Sequence, residues 1–215
     1  EFLPLHAMLG YAELHCSRSE SSLQKFDKVL AAPSTPDDPV SILQERSRIG
    51  KIWACLDLKQ LESAGALLSE AQNIIRRSRG RRNVAAIYEL NLAQARFWEL
   101  RGRKGEALKA YTRAINADRK RPEAHRLVAV FLATTDDSAG ETALIHAEQA
   151  CDLDESRDFR NYIAVAHAHH ALAQTTERDR AMADARKYAA SMNAPDDLID
   201  PMLAAITKPR QGVTK

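Results

Sequence analysis

The sequence is poor in the residues that build disulfide-stapled, sheet-rich or membrane-spanning proteins. There are three cysteines, Cys16, Cys55 and Cys151, too far apart for the paired spacing of a zinc site or a redox pair. They read as unpaired thiols, which fits a reducing compartment such as the cytoplasm better than an oxidising one, a periplasm with few cysteines being the other open setting. Aromatic residues make up only 6% of the chain, and no run alternates Val, Ile, Thr and aromatics for more than a few positions, so strands have no signal. No stretch approaches the roughly 18 uncharged apolar residues that a membrane helix needs. There is also no Gly-rich phosphate loop, nucleophile elbow or spaced Ser, His and Asp set. Neither catalysis nor a cofactor is therefore expected. The chain opens Glu1-Phe2-Leu3, without Met or a signal pattern, and is expected to be a segment of a larger protein.

What the chain does have is helix-forming material. Of 215 residues, 45% are hydrophobic and 28% charged, enough for a sizeable core. Eight Gly and eight Pro cluster between long stretches of Ala, Leu, Glu, Gln and Arg, so the expected fold is all-α. The expected helices are 4–15, 19–31, 39–57, 60–78, 83–101, 104–117, 121–134, 139–153, 158–174, 178–193 and 197–206. Ser17 with Glu20, and Ser138 with Glu141, have capping-box spacing. Asp38 before Pro39 marks another start. Asp136-Asp137 and Asp196-Asp197 stand beside helix starts, where carboxylates complement the helix dipole, and read as caps rather than as an acid and base pair.

One pattern recurs. The stretch GRKGEALKAYTRAINADRK puts Ala107, Tyr111 and Ala114 on one helical face, small residues flanking a single aromatic. Comparable sets are Ser22, Phe26 and Val29; Ala64, Leu68 and Ala71; Ala143, Ala147 and Ala150; and Ala181, Ala185 and Tyr188. Each follows the i, i+4, i+7 rule for one face. Helices approach closely only where the residues between them are small. No single helix pair buries its apolar face alone, so such pairs must stack on their neighbours.

On these residues the chain resembles the tetratricopeptide repeat family, whose unit is a helix-turn-helix of about 34 residues with small side chains at the close approaches. The third unit, about 88–121, carries it best, with Ala95, a Gly102 turn, then Ala107, Tyr111 and Ala114; Leu9-Gly10 matches the Leu-Gly pair of the first unit, and Trp98 stands where Tyr is usual. Ile52 replaces a small residue. Arg119 stands where the closing Pro belongs, with Pro122 three residues on. The fourth and fifth units need turns two to four residues longer to place Ala129 and Ala166. The resemblance implies a right-handed α-solenoid of about five antiparallel helix pairs, a single domain over 3–207 (units about 3–33, 39–78, 83–120, 121–155 and 158–193). It is closed by a cap over 197–206 bearing Leu198, Ile199, Leu203 and Ile206, with a loose tail over 208–215.

The implied function is non-catalytic: a scaffold that binds a partner polypeptide on the concave surface lined by the first helix of each pair. Carried over by position, that surface holds Tyr11, Trp53, Arg96, Arg126, Val130 and His167, with aromatic and Arg side chains the usual interface anchors. The Lys and Asn pattern by which some family members clamp a chaperone's carboxylate tail is not evident. The alternative comes from charge. Residues 76–126 hold fifteen Lys or Arg against five Asp or Glu in a chain of net charge +2. Arg76, Arg77, Arg79, Arg81 and Arg82, with Arg119, Lys120 and Arg121, form two basic connections expected on one rim, suited to RNA or another polyanion. No aromatics are interleaved there to stack bases, which places nucleic acid second to protein. His167, His169 and His170 share one expected helix; lacking a clear third ligand, they read as helix-face histidines, and no metal is expected.

Overall fold

The computed structural model describes residues 2–35, 38–77 and 83–207. Among them are eleven α-helices and one 3-10 turn, with no strand. The chain forms two compact units, Glu1–Asp118 and Arg119–Lys215. The first holds α1 (Leu3–His15), α2 (Ser19–Leu30), α3 (Pro39–Asp57), α4 (Leu61–Arg77), α5 (Val84–Leu100) and α6 (Lys104–Ala117). The second holds α7 (Pro122–Thr135), the 3-10 turn Asp137–Ala139, α8 (Gly140–Leu153), α9 (Phe159–Ala171), α10 (Thr175–Ser191) and α11 (Asp196–Ile206). The expected tail over 208–215 and most of the basic connection, 78–82, lie outside the described residues.

Within each unit consecutive helices pack on one another, and alternate ones also meet: α1 with α3 and α3 with α5 in the first, α7 with α9 in the second. The chemistry of the turns makes this regular. Four first helices, α1, α3, α5 and α9, end alike. In each, one residue adopts a left-handed conformation (Ser17, Lys59, Gly102 and Ala173, φ from 57° to 68°). The two amides after the cap residue then donate to the last orphaned carbonyls, as Gly102 N does to Glu99 O (2.8 Å) and Arg103 N to Trp98 O (2.9 Å). This closure satisfies groups that a helix end would otherwise leave open. Only Gly102 is the residue type this backbone favours.

Those turns correct two sequence expectations. Ser17 lies in the turn that ends α1, and α2 has no side-chain cap, so no Ser17–Glu20 box forms. The connection before α10 is as short as those before α2, α4 and α6, and needs no lengthening. Only the fourth pair has an inserted turn, where Asp136 Oδ1 accepts from Ser138 N (2.9 Å) in place of a Ser138–Glu141 box. Asp38 caps α3 as expected, accepting from Val40 N at 2.9 Å.

The recurring sets are the buried faces of α2, α4, α6 and α8. Ala107 and Ala114 have no exposed surface. In α10 the buried residues are Ala181, Ala185 and Ala189, while Tyr188 is only half-buried. The apolar row steps by four rather than three there, and Arg178 takes the place matching Ala107 in the turn register.

In three of the sets the middle member enters between two first helices. Phe26, fully buried, lies between Gly10 of α1 and Gly50 of α3: a methyl on either would come within 2.7 Å and 2.3 Å of its ring. Leu68 shares a core with Ile52 of α3 and Ala93 of α5. Ala147 shares one with Ala129 of α7 and Ala164 of α9, which puts Ala129 in the same close-approach position as Gly10 and Ile52. At the end of the second unit, α11 buries Ile199, Leu203 and Ile206 against the core of α9 and α10, and leaves Leu198 exposed.

Candidate functional site

The common turn gives a common register for the first helices. Tyr11, Trp53 and Arg96 each lie five residues ahead of the cap residue of their helix, Cys16, Leu58 and Arg101. Since α1 packs on α3 and α3 on α5, the three hold equivalent positions on successively packed helices of the first unit. Tyr11 sets its ring edge-on against Phe26, centroids 5.1 Å apart, and donates its hydroxyl to Arg46 O at 2.6 Å. Burial pushes its pKa up to about 12, with Arg46 of α3 and Glu89 of α5 acting in opposite directions. Trp53 is partly buried against the α3–α5 core. Arg96 is exposed, its guanidinium 2.7 Å from Glu99. Glu99 also accepts the hydroxyl of Tyr111 at 2.6 Å, tying the set to the second-helix layer; burial and the Glu99 carboxylate raise the Tyr111 pKa.

In the second unit, His167 holds the same position, five residues ahead of Leu172. Burial, helped by His170, depresses its pKa to about 4. Val130 is partly buried against the cluster of Ala129, Ala147 and Ala164. Arg126 is spent internally: only 13% of its side chain is exposed, between Asp158 (3.5 Å) and Glu123 (3.8 Å). Asp158 caps α9, accepting from Arg160 N at 2.9 Å. Burial opposes its ionisation, but hydrogen bonds and charge from Arg160, with Arg126 behind them, hold its pKa below the usual carboxylate range. The Arg126 position is thus a tie between α7 and the start of α9.

The basic residues divide between the units. Arg76 and Arg77 end α4 in the first; Arg79, Arg81 and Arg82 lie outside the described residues. Arg119, Lys120 and Arg121 open the second, with Arg121 3.5 Å from Glu123. Arg76 also lines something the sequence did not reveal, a groove of about 390 Å³ over α4, α5 and α6 with Gln72, Ile75, Leu90, Asn91, Gln94 and Arg113. Arg76 bonds to Gln72 O (3.4 Å) and Asn73 Oδ1 (2.8 Å), and Arg113 to Asn91 Oδ1 (3.4 Å) and Gln94 Oε1 (3.1 Å). Among the described residues both cations therefore contact neutral oxygens. Nothing in the local pattern joins 113 to 91 and 94; only the repeat register brings them together.

A second cavity of about 530 Å³ at the α5–α6 turn is lined by Trp98, Arg101, Arg103 and Glu106. His125 and His146, missed as a pair by sequence reading, meet between α7 and α8 with Nδ1 atoms 3.0 Å apart. Burial lowers the pKa of both, His125 adding to the effect on His146, so one ring donates and the other accepts. His169 bonds instead to Gln174 Oε1 at 2.7 Å. Among the described residues no group of three or more His, Cys, Asp or Glu is placed to hold a metal ion, and no helix is long and apolar enough to cross a membrane. Neither a protein-family model nor a curated protein matches the chain.

Proposed function

We propose that the chain is a non-catalytic interaction scaffold of the tetratricopeptide kind, its helix pairs wound right-handed within each unit, which holds a partner polypeptide along its first-helix face. The observation that carries this reading is the set of Tyr11, Trp53 and Arg96, equivalent positions on three successively packed helices. Two aromatics and an arginine at a regular repeat match the residue types that anchor interfaces. Partner capture by the 215-residue chain, with bound proteins identified by mass spectrometry, is the test. Arg96→Glu and Trp53→Ala should each remove the same partner while helical content stays unchanged. Capture indifferent to both substitutions rejects this face.

A second reading is polyanion binding, favoured by Arg76 and Arg113, whose guanidinium groups contact amide and carbonyl oxygens along one groove. Arginine pairs most strongly with carboxylate or phosphate. RNA retardation measured over a salt series should weaken steeply as salt rises and weaken further with Arg113→Gln. Binding that ignores salt rejects the reading.

A further inference from the structure

The groove over α5 has a counterpart one helix pair earlier, over α3, and the two differ in charge. Counted back from the cap residues Leu58 and Arg101, Arg48 of α3 corresponds to Asn91 of α5, and Lys51 to Gln94. Counted from Ala64 and Ala107, Glu70 of α4 corresponds to Arg113 of α6. Counted from Ser22 and Ala64, Asp27 of α2 corresponds to Ser69 of α4. Over α3 these positions neutralise one another, Arg48 lying 3.0 Å from Glu70 and Lys51 2.6 Å from Asp27. Over α5 both acids are gone. Ser69 bonds within its own helix, to Gly65 O at 3.0 Å, and Arg113 reaches only the uncharged Asn91 and Gln94 among the described residues.

The lining follows suit. Arg76 and Arg113 stand on α4 and α6, the two helices that flank α5. Ile75, Ile87 and Leu90 supply aliphatic surface, and none of the described residues lining the groove is acidic. The connection after Arg77, Ser78-Arg79-Gly80-Arg81-Arg82, adds only positive charge, so the adjoining chain brings no carboxylate to the two arginines. Asn91 and Gln94 precede Arg96 by five and two residues, roughly 140° and 160° around the helix. The groove therefore lies on the far side of α5 from Arg96.

We infer that this groove binds a peptide segment of another protein in which an aliphatic side chain is flanked by Asp or Glu. Its carboxylates replace amide oxygens as the acceptors of Arg76 and Arg113, the stronger pairing for a guanidinium. Its aliphatic side chain covers Leu90 and the two isoleucines. A volume of about 390 Å³ is at the small end of ligand cavities and suits a few side chains. RNA fits the charge but not the lining, whose described residues include no aromatic ring on which a base could stack. The inference uses the same two arginines as the polyanion reading with a different partner, and it does not depend on capture at the first-helix face.

Selection from a random peptide library by the immobilised 215-residue chain tests this, with the enriched peptides then measured by fluorescence anisotropy beside a single-stranded RNA probe. Enriched peptides should carry Asp or Glu on both sides of Leu, Ile or Val. Arg76→Gln and Arg113→Gln should each weaken their binding roughly tenfold, with circular dichroism unchanged, while Trp53→Ala leaves it intact. Asn91→Arg combined with Arg113→Glu, which copies the Arg48–Glu70 pair, should abolish binding without loss of helix. A selection that yields no peptides, or peptides without acidic residues, overturns the inference, as does binding indifferent to both glutamine variants. Loss with Trp53→Ala alone assigns the peptides to the first-helix face and also overturns it. RNA binding that Arg113→Gln weakens, with no acidic peptide bound, overturns it while the polyanion reading stands; failure of both probes rejects the two together.

Discussion

Gly50 and Phe26 occupy one another's space: a methyl on Gly50 would stand 2.3 Å from the Phe26 ring, and the ring has no exposed surface into which to retreat. Gly50→Ala is therefore expected to cost about 1–3 kcal/mol, the range for overpacking a core. Phe26→Leu should lose part of its own cost in the Gly50→Ala background, because the two changes share one cavity. Urea denaturation of the single and double variants measures the coupling, expected near 1 kcal/mol. Strict additivity would mean the ring is not confined by Gly50.

The turn ending α9 places Ala173 at φ 57°. A side chain in that conformation costs roughly 1 kcal/mol that glycine does not incur. Ala173→Gly should accordingly stabilise the protein by several tenths of a kcal/mol or more, seen as a higher denaturation midpoint with an unchanged slope. The same substitution at Ala168, buried within α9, should destabilise by about 1 kcal/mol or more, since a helix-interior glycine adds entropy and loses packing.

Acid should weaken the fold through its histidines. Burial holds the pKa of His167 at about 4 in the folded protein, against 6.5 ordinarily, so between those values the unfolded chain binds a proton that the folded chain refuses. The stabilisation is fully present above pH 6.5 and is lost as pH falls towards 4, by at most about 3 kcal/mol for this one group. His125 and His146 shift in the same direction and add to the slope. Unfolding free energies measured across this range should fall with pH, and His167→Gln should flatten the dependence. An undiminished slope in that variant would leave the His125–His146 pair as its source.

The three thiols should react unequally. Cys16 is exposed and Cys55 is buried. Burial raises the pKa of Cys55. In Cys151, burial and then Asp152, Asp154 and Glu148 push it up to about 11. Thiolate is the reactive form. At neutral pH an aromatic disulfide reagent should therefore titrate one thiol quickly and the other two only on unfolding. Cys16→Ser should abolish the fast phase.

Helix positions and buried faces were largely legible in the sequence because both rest on local periodicity. Ala64, Leu68 and Ala71, or Ala107, Tyr111 and Ala114, share a face of any α-helix, whatever surrounds it. The fifth set failed at its third member because Tyr188 and Ala189 lie near each other on the helix surface, and only neighbouring helices choose between them. The capping boxes failed for a related reason. Ser17 and Ser138 have the right spacing, but one lies in the turn that closes α1 and the other answers to Asp136.

Among the candidate site residues, the equivalence of Tyr11, Trp53, Arg96 and His167 followed from counting along the repeat, and the turns supply its physical basis. That Arg126 is held by Asp158, or that Arg113 reaches Asn91 and Gln94, was not legible, since such pairings join distant segments.

By itself the sequence determined that this chain is helical, where its helices run and which faces turn inward, since these follow from residue-scale periodicity and from small side chains at close approaches. Tertiary structure alone decided which cations meet carboxylates and which histidines meet each other. Each of those depends on the distance between residues far apart in the chain, and that distance exists only after the helices have packed.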